Sequence, residues 1–219
     1  FVAVTDHAEG FGFRTRCGGP DLSLTDQVSC WIMQTPGYTT ASFLLSRQTR
    51  MAVEPDPTQP ASVYRNRPRT HQPRGPVGMC SGSEGALERC RRDSASDWDR
   101  YIKLANNYNE PGLFTTFAAY EFSPALEGAG KHHRNVIFNG EDLPQHAISS
   151  RDVNNAIELW RGLEDSCIRD CDFLTIPHNM NKGWGLFYSP HTWDGGTYSE
   201  DDWRARMRRE PLAEMYQVK

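Results

Sequence analysis

The 219 residues carry 24 Lys and Arg against 28 Asp and Glu, a net charge of −4, with 37% hydrophobic and 24% charged residues. A chain of this size can bury a core without covalent staples, and its mild acidity gives it no bulk attraction for phosphate backbones, so no general nucleic-acid binding is expected. No apolar run approaches the roughly 20 residues that cross a bilayer, so no membrane span is expected.

The first residues, Phe1-Val2-Ala3-Val4-Thr5-Asp6-His7, read as a buried strand already under way. The last, Leu212 to Lys219, read as a strand following Pro211 and cut at its end. A domain rarely begins inside a core strand, so the chain is expected to be a piece trimmed at both ends. A Gly-rich stretch and a Cys-bounded loop follow the first strand. Phe43, Leu44 and Met51 give a helical pattern over 40–51. Residues 54–78 are rich in Pro and Arg, nearly free of apolar side chains, and predict a surface excursion.

Trp98, Tyr101, Ile102, Ala105 and Tyr108 predict a helix over 96–108, with Ser96 as its cap and Pro111-Gly112 breaking it. Strands are expected over 113–121 and 135–139. Val153, Ile157, Trp160 and Leu163 predict a helix over 151–167 capped by Ser150. A buried strand is expected over 173–176. Ser199 and Asp202 have the spacing of a capping box and predict a helix over 200–209. Helices alternate with short apolar strands, which predicts an α/β fold with a parallel sheet covered on both faces. The chain is expected to form one such partial domain, 1–219, with long irregular insertions.

The six cysteines form three local pairs: Cys17 with Cys30, Cys80 with Cys90, and Cys167 with Cys171. None has the spacing of a zinc knuckle or redox motif. Neighbouring pairs in polar loops suggest short disulfides and an oxidising compartment. Six free thiols in a reducing compartment are the alternative.

In parallel α/β folds, ligands bind at the carboxyl ends of strands. The first strand ends Asp6-His7, the second Tyr120-Glu121 and the fourth Pro177-His178-Asn179, while the third begins after Lys131-His132-His133-Arg134. Each taken singly could be an ordinary surface or hydrogen-bonding residue. Together, imidazoles with one carboxylate suit zinc, manganese or iron. Such a cluster would generate hydroxide near neutral pH and stabilise an in-line displacement. Strand alternation turns only one of the adjacent histidines inward; His133 is the choice and His132 the reserve. Arg134 and Lys182 can hold a phosphate, and Arg134 can equally pair with a structural carboxylate. Asp6 is expected to orient His7 or cap the next turn, and Asn179 lies beside a ligand candidate. His71, His146 and His191 rank below these.

The blocks Val4-Thr5-Asp6-His7, Tyr120-Glu121, His133-Arg134-Asn135-Val136 and Ile176-Pro177-His178-Asn179 resemble the polymerase-and-histidinol-phosphatase (PHP) superfamily of metal-dependent phosphoesterases. The Cys-bounded loops, Phe114-Thr115-Thr116-Phe117, Leu159-Trp160 and Glu210-Pro211-Leu212 further resemble a secreted bacterial branch catalogued as a domain of unknown function. The resemblance implies part of a distorted (β/α)7 barrel with two or three divalent transition-metal ions, zinc, manganese or iron. It implies that His7 binds one metal, Glu121 bridges two, and His133 and His178 complete the second site. Glu121 and Arg134 would be the catalytic members, with Asp6, His132, Asn179 and Lys182 around them. The superfamily's His-x-His and Asp-x-His motifs do not occur here. With the paired cysteines, the resemblance implies a periplasmic or extracellular protein.

The expected function is metal-dependent hydrolysis of phosphoesters, on a small-molecule or polymeric ester. Hydrolysis of an amide, sulfate ester or lactone by the same cluster is an alternative. A non-catalytic secreted binding protein is another, with Trp184, Phe187, Tyr188 and Trp193 holding a flat or carbohydrate ligand. The sequence does not specify an oligomeric state.

Overall fold

The computed structural model describes residues 1–20, 22–35, 84–124, 131–153, 155–183, 187 and 197–217. The expected helix over 40–51 and the excursion over 54–78 lie outside these, as do Cys80, His71, His191, Trp184, Tyr188 and Trp193. The described elements are β1 (Val2–Ala3), α1 (Phe13–Gly18), α2 (Leu24–Gln34), α3 (Glu84–Tyr108), β2 (Thr116–Phe117), β3 (Ala119–Phe122), β4 (Arg134–Gly140), α4 (Ala156–Ser166), β5 (Cys171–Pro177) and α5 (Glu200–Arg209).

The fold is mixed α/β, but the main sheet is not parallel. β3, β4 and β5 form a three-stranded antiparallel sheet in that order. The link from β3 to β4 spans only residues 123–133, too short for a parallel crossover. After β4 the chain re-enters the sheet at the end it left: the backbone N–H groups of Glu141 and Asp142 both donate to Asp170 O at 3.0 Å. Among the described strands, only β1 and β2 pair in parallel, in the register Val2↔Thr116 and Ala3↔Phe117. An isolated bridge, His7↔Glu121, continues that register. The described strands do not close into a barrel.

Alternation along the sheet separates core from site. Tyr120, Phe122, Val136, Phe138 and Phe173 are buried on one face, in one cluster with Trp98 of α3 and Leu159, Trp160 and Leu163 of α4. Trp98 is fully buried, meets Tyr120 edge-on at 5.4 Å and donates its indole N–H to Pro144 O at 2.8 Å. Trp160 donates to Thr175 Oγ1 at 3.0 Å. Each large side chain buried this way contributes about 1.5–3 kcal/mol.

α1, α2 and the first half of α3 form a second, smaller unit around Phe13, Cys30 and Cys90. A disulfide joins Cys17 to Cys30, and Cys90 is also disulfide-bonded. A third disulfide joins Cys167 to Cys171. Gly12 adopts φ +86°, and a Cβ there would lie 2.7 Å from Ser94 N, so only glycine lets the two segments approach. Gly12 N–H and Thr15 Oγ1 both donate to Asp97, at 2.7 and 2.6 Å.

Several expectations need correction. Phe1, Val2 and Val4 are exposed, not buried, because β1 is two residues long and paired along one edge only among the described residues. No strand forms over 211–217; Glu214 N–H donates to Pro177 O, and Gln217 exchanges hydrogen bonds with the Asn181 amide. α3 spans Glu84–Tyr108, so Ser96 lies inside it: its first half packs on α1 through the close approach at Gly12 and the small cluster of Phe13, Cys30 and Cys90. α4 starts later than expected, capped by Asn155 rather than Ser150. α5 has the expected bounds and its Ser199–Asp202 capping box.

Candidate metal centre

Glu121 is the penultimate residue of β3, His133 precedes β4, and His178 follows β5. Because β4 runs opposite to its neighbours, its start lies at their ends, which explains why its histidines precede the strand. Glu121 pairs with Asn135, and His178 N–H donates to His133 O at 3.2 Å. The pleat therefore puts Glu121, His133 and His178 on one face, opposite the aromatic core. The His7↔Glu121 bridge, with Glu121 N–H donating to Asp6 O at 2.8 Å, brings His7 alongside.

The side chains converge. Glu121 Oε1 lies 2.6 Å from His133 Nδ1 and 3.2 Å from His7 Nδ1; Oε2 lies 3.4 Å from His178 Nε2. The His133 ring stands edge-on to the His7 ring at 5.6 Å and to the His178 ring at 5.8 Å. His133 and His178 are buried, whereas the His7 side chain is 58% exposed, so the cluster opens to solvent at His7. One potential ligand atom each from His7, Glu121 and His133 lies within 4.8 Å of the others.

The electrostatics suit a cation. Burial alone would raise the Glu121 carboxyl, but hydrogen bonds from His133 and His178 outweigh it and hold the group far below its ordinary range. Burial pushes His133 down to about 4 despite the opposing pull of Glu121. Burial and the neighbouring Arg134 push His132 down to about 3. Neutral imidazoles are the form that ligates metals. His133 Nε2 and His178 Nδ1 are buried without a hydrogen-bond partner. Bare lone pairs of this kind cost about 1–3 kcal/mol each unless something accepts them. His7, Glu121 and His133 could together hold a metal ion.

The other expected residues divide. Arg134 is buried on the core face, where it pairs with Glu210 at 2.5 Å, donates to His132 O at 2.9 Å and stacks over Phe187. Its guanidinium therefore pairs with a carboxylate on the face opposite Glu121. His132 packs on Phe187 at 4.4 Å between ring centroids, away from the cluster. The Asp6 carboxylate accepts a hydrogen bond from the Tyr101 hydroxyl. Asn179 is buried in the left-handed conformation (φ 62°), and neither polar atom of its amide has a hydrogen-bond partner. Lys182 lies half-buried in the turn that follows, its carbonyl accepting from Lys131 N–H at 3.0 Å. His146 is exposed on a loop.

Sequence reasoning missed Ser123, Glu9 and Glu210. Ser123 Oγ contacts His7 Nδ1 and donates to Glu121 Oε1 at 2.8 Å. Two residues after Glu121, it shares that side of the chain, a signal present in the alternation. Glu9 is buried and accepts from the backbone N–H groups of Ser123 and Ser150 at 3.1 and 2.8 Å. Glu210 also pairs with Arg206 at 3.1 Å, tying α5 to β4.

No helix among the described residues is long and apolar enough to cross a membrane. The disulfides are compatible with an oxidising compartment. No curated protein and no solved structure matches the chain. A family model described as "Protein of unknown function (DUF3604)" matches residues 1–219. The chain belongs to that family.

Proposed function

We propose that the protein is a metal-dependent hydrolase of phosphoesters, with His7, Glu121, His133 and His178 holding two or three divalent ions of zinc, manganese or iron. One observation carries the reading: three imidazoles from three chain segments lie within 3.4 Å of a single carboxylate. Nitrogen donors with one carboxylate favour these metals over magnesium or calcium. When bound, such ions supply Lewis acidity and lower the pKa of water.

The residues divide the work. Glu121 provides the anionic centre and, in this reading, bridges two ions. His133 and His178 form the buried wall. His7 lines the open side, where a small-molecule or polymeric ester approaches. The same reading takes the described sheet as part of a distorted (β/α)7 barrel of the PHP superfamily, in a periplasmic or extracellular protein.

The test is hydrolysis of phosphomonoesters and phosphodiesters by protein loaded with zinc or manganese, beside its Glu121→Gln variant. Turnover that vanishes together with bound metal in the variant is the expected result. Turnover of only an amide, sulfate ester or lactone moves the chemistry to that bond. Metal-free, inactive wild-type protein refutes the hydrolase and favours a binding protein.

A further inference from the structure

Three polar atoms meet beside the exposed histidine. His7 Nδ1 contacts Ser123 Oγ; Ser123 Oγ lies 2.8 Å from Glu121 Oε1; His7 Nδ1 lies 3.2 Å from the same oxygen. Ser123 is 1% exposed, so water does not mediate these contacts freely. Its backbone N–H is anchored on Glu9 at 3.1 Å, which fixes where the hydroxyl stands.

Proton counting then leaves little choice. An ionised carboxylate only accepts, and a serine hydroxyl has one proton. Glu121 Oε1 already receives His133 Nδ1 at 2.6 Å, so Ser123 directs its proton to the remaining lone pair. The hydroxyl oxygen must accept from His7, which requires the proton of that imidazole on Nδ1. In the opposite tautomer the Ser123 hydroxyl would have to turn its one proton to Nδ1, leaving its oxygen 2.8 Å from the Glu121 carboxylate with no proton between them.

We propose that Ser123 is a positioning residue that relays Glu121 to His7, fixes the Nδ1–H tautomer, and so leaves Nε2 of His7 as its metal-binding atom. The idea rests on the metal reading above for its consequence, but its tautomer claim stands on the metal-free protein. The neighbour that orients a ligating imidazole typically changes metal affinity about 10–100-fold when removed.

The experiment is nitrogen-15 NMR of the histidine rings in metal-free wild-type protein, with zinc titrations of wild type, Ser123→Ala and Ser123→Thr. The expected result is a protonated Nδ1 and a bare Nε2 on His7. In Ser123→Ala, the ring should shift toward a tautomer mixture and zinc affinity should fall about tenfold or more. Ser123→Thr, which keeps the hydroxyl, should restore the single tautomer. A bare Nδ1 on His7 in wild type overturns the inference without any variant. An unchanged His7 tautomer in well-folded Ser123→Ala overturns it as well. If wild type binds no zinc but shows the Nδ1–H ring, the function reading falls while the relay stands.

Discussion

The lobe of α1 and α2 and the three-stranded sheet are held by different means. The lobe has a core of Phe13, Cys30 and Cys90, tied covalently, and it leaves Leu24, Val28 and Trp31 exposed along one side of α2. The sheet has a continuous aromatic core, from Trp98 through Tyr120 and Phe138 to Phe173, and its opposite face carries the imidazoles and Glu121. Cross-links substitute for apolar burial where the sequence supplies little. The unit that carries the imidazole–carboxylate cluster stands chiefly on packing, beside the single Cys167–Cys171 link, and holds the buried His133 and His178 against Glu121.

The largest effect that would break this contrast lies in the aromatic core. Trp98→Ala should destabilise the protein by about 3–5 kcal/mol in denaturant unfolding, from lost contacts and the cavity left behind. Removing the Cys17–Cys30 link by paired serine substitutions should cost less, about 3 kcal/mol, because it closes a loop of only 13 residues' separation. Zinc binding should survive that change, since no ligand candidate lies in the lobe. A larger cost from the disulfide than from Trp98, or loss of zinc with it, would invert the comparison.

The next effect is electrostatic and lies in the lobe. Burial opposes ionisation of Asp26, but hydrogen bonds from Arg16 and Ser23 and the Arg16 charge prevail and hold the carboxyl below its ordinary value. A depressed folded pKa gives stability that is present above the unfolded value and fades as pH falls through the folded one. Wild type should therefore melt above Asp26→Asn at about pH 6, and the gap should close on acidification below about pH 3.9. A gap independent of pH would remove the ion pair from the lobe's account. The smallest effect concerns neither region's core: Ser199→Ala, at the cap of α5, should cost about 1 kcal/mol and leave zinc binding intact.

How much was legible follows from how local each signal is. α5 was readable to its bounds because a capping box and Pro211 are local marks. The convergence of His7, Glu121, His133 and His178 followed from what stands at strand ends. Strand direction was not legible, because an apolar run reads the same in either sense. Only the pairing of Glu121 with Asn135 and the return at Asp170 reveal it. Arg134 could be assigned to substrate or scaffold from sequence. Its partner, Glu210, lies 76 residues away and is visible only in the fold. Ser123 was overlooked because a serine carries no signature beyond its offset from Glu121.

Metal content of purified wild-type protein and of Glu121→Gln, by elemental mass spectrometry after exposure to zinc and manganese, tests the central claim most directly. The account expects stoichiometric metal on wild type and its loss from a variant that still folds. A folded wild type that binds neither metal, or a Glu121→Gln variant that binds them equally well, would contradict it.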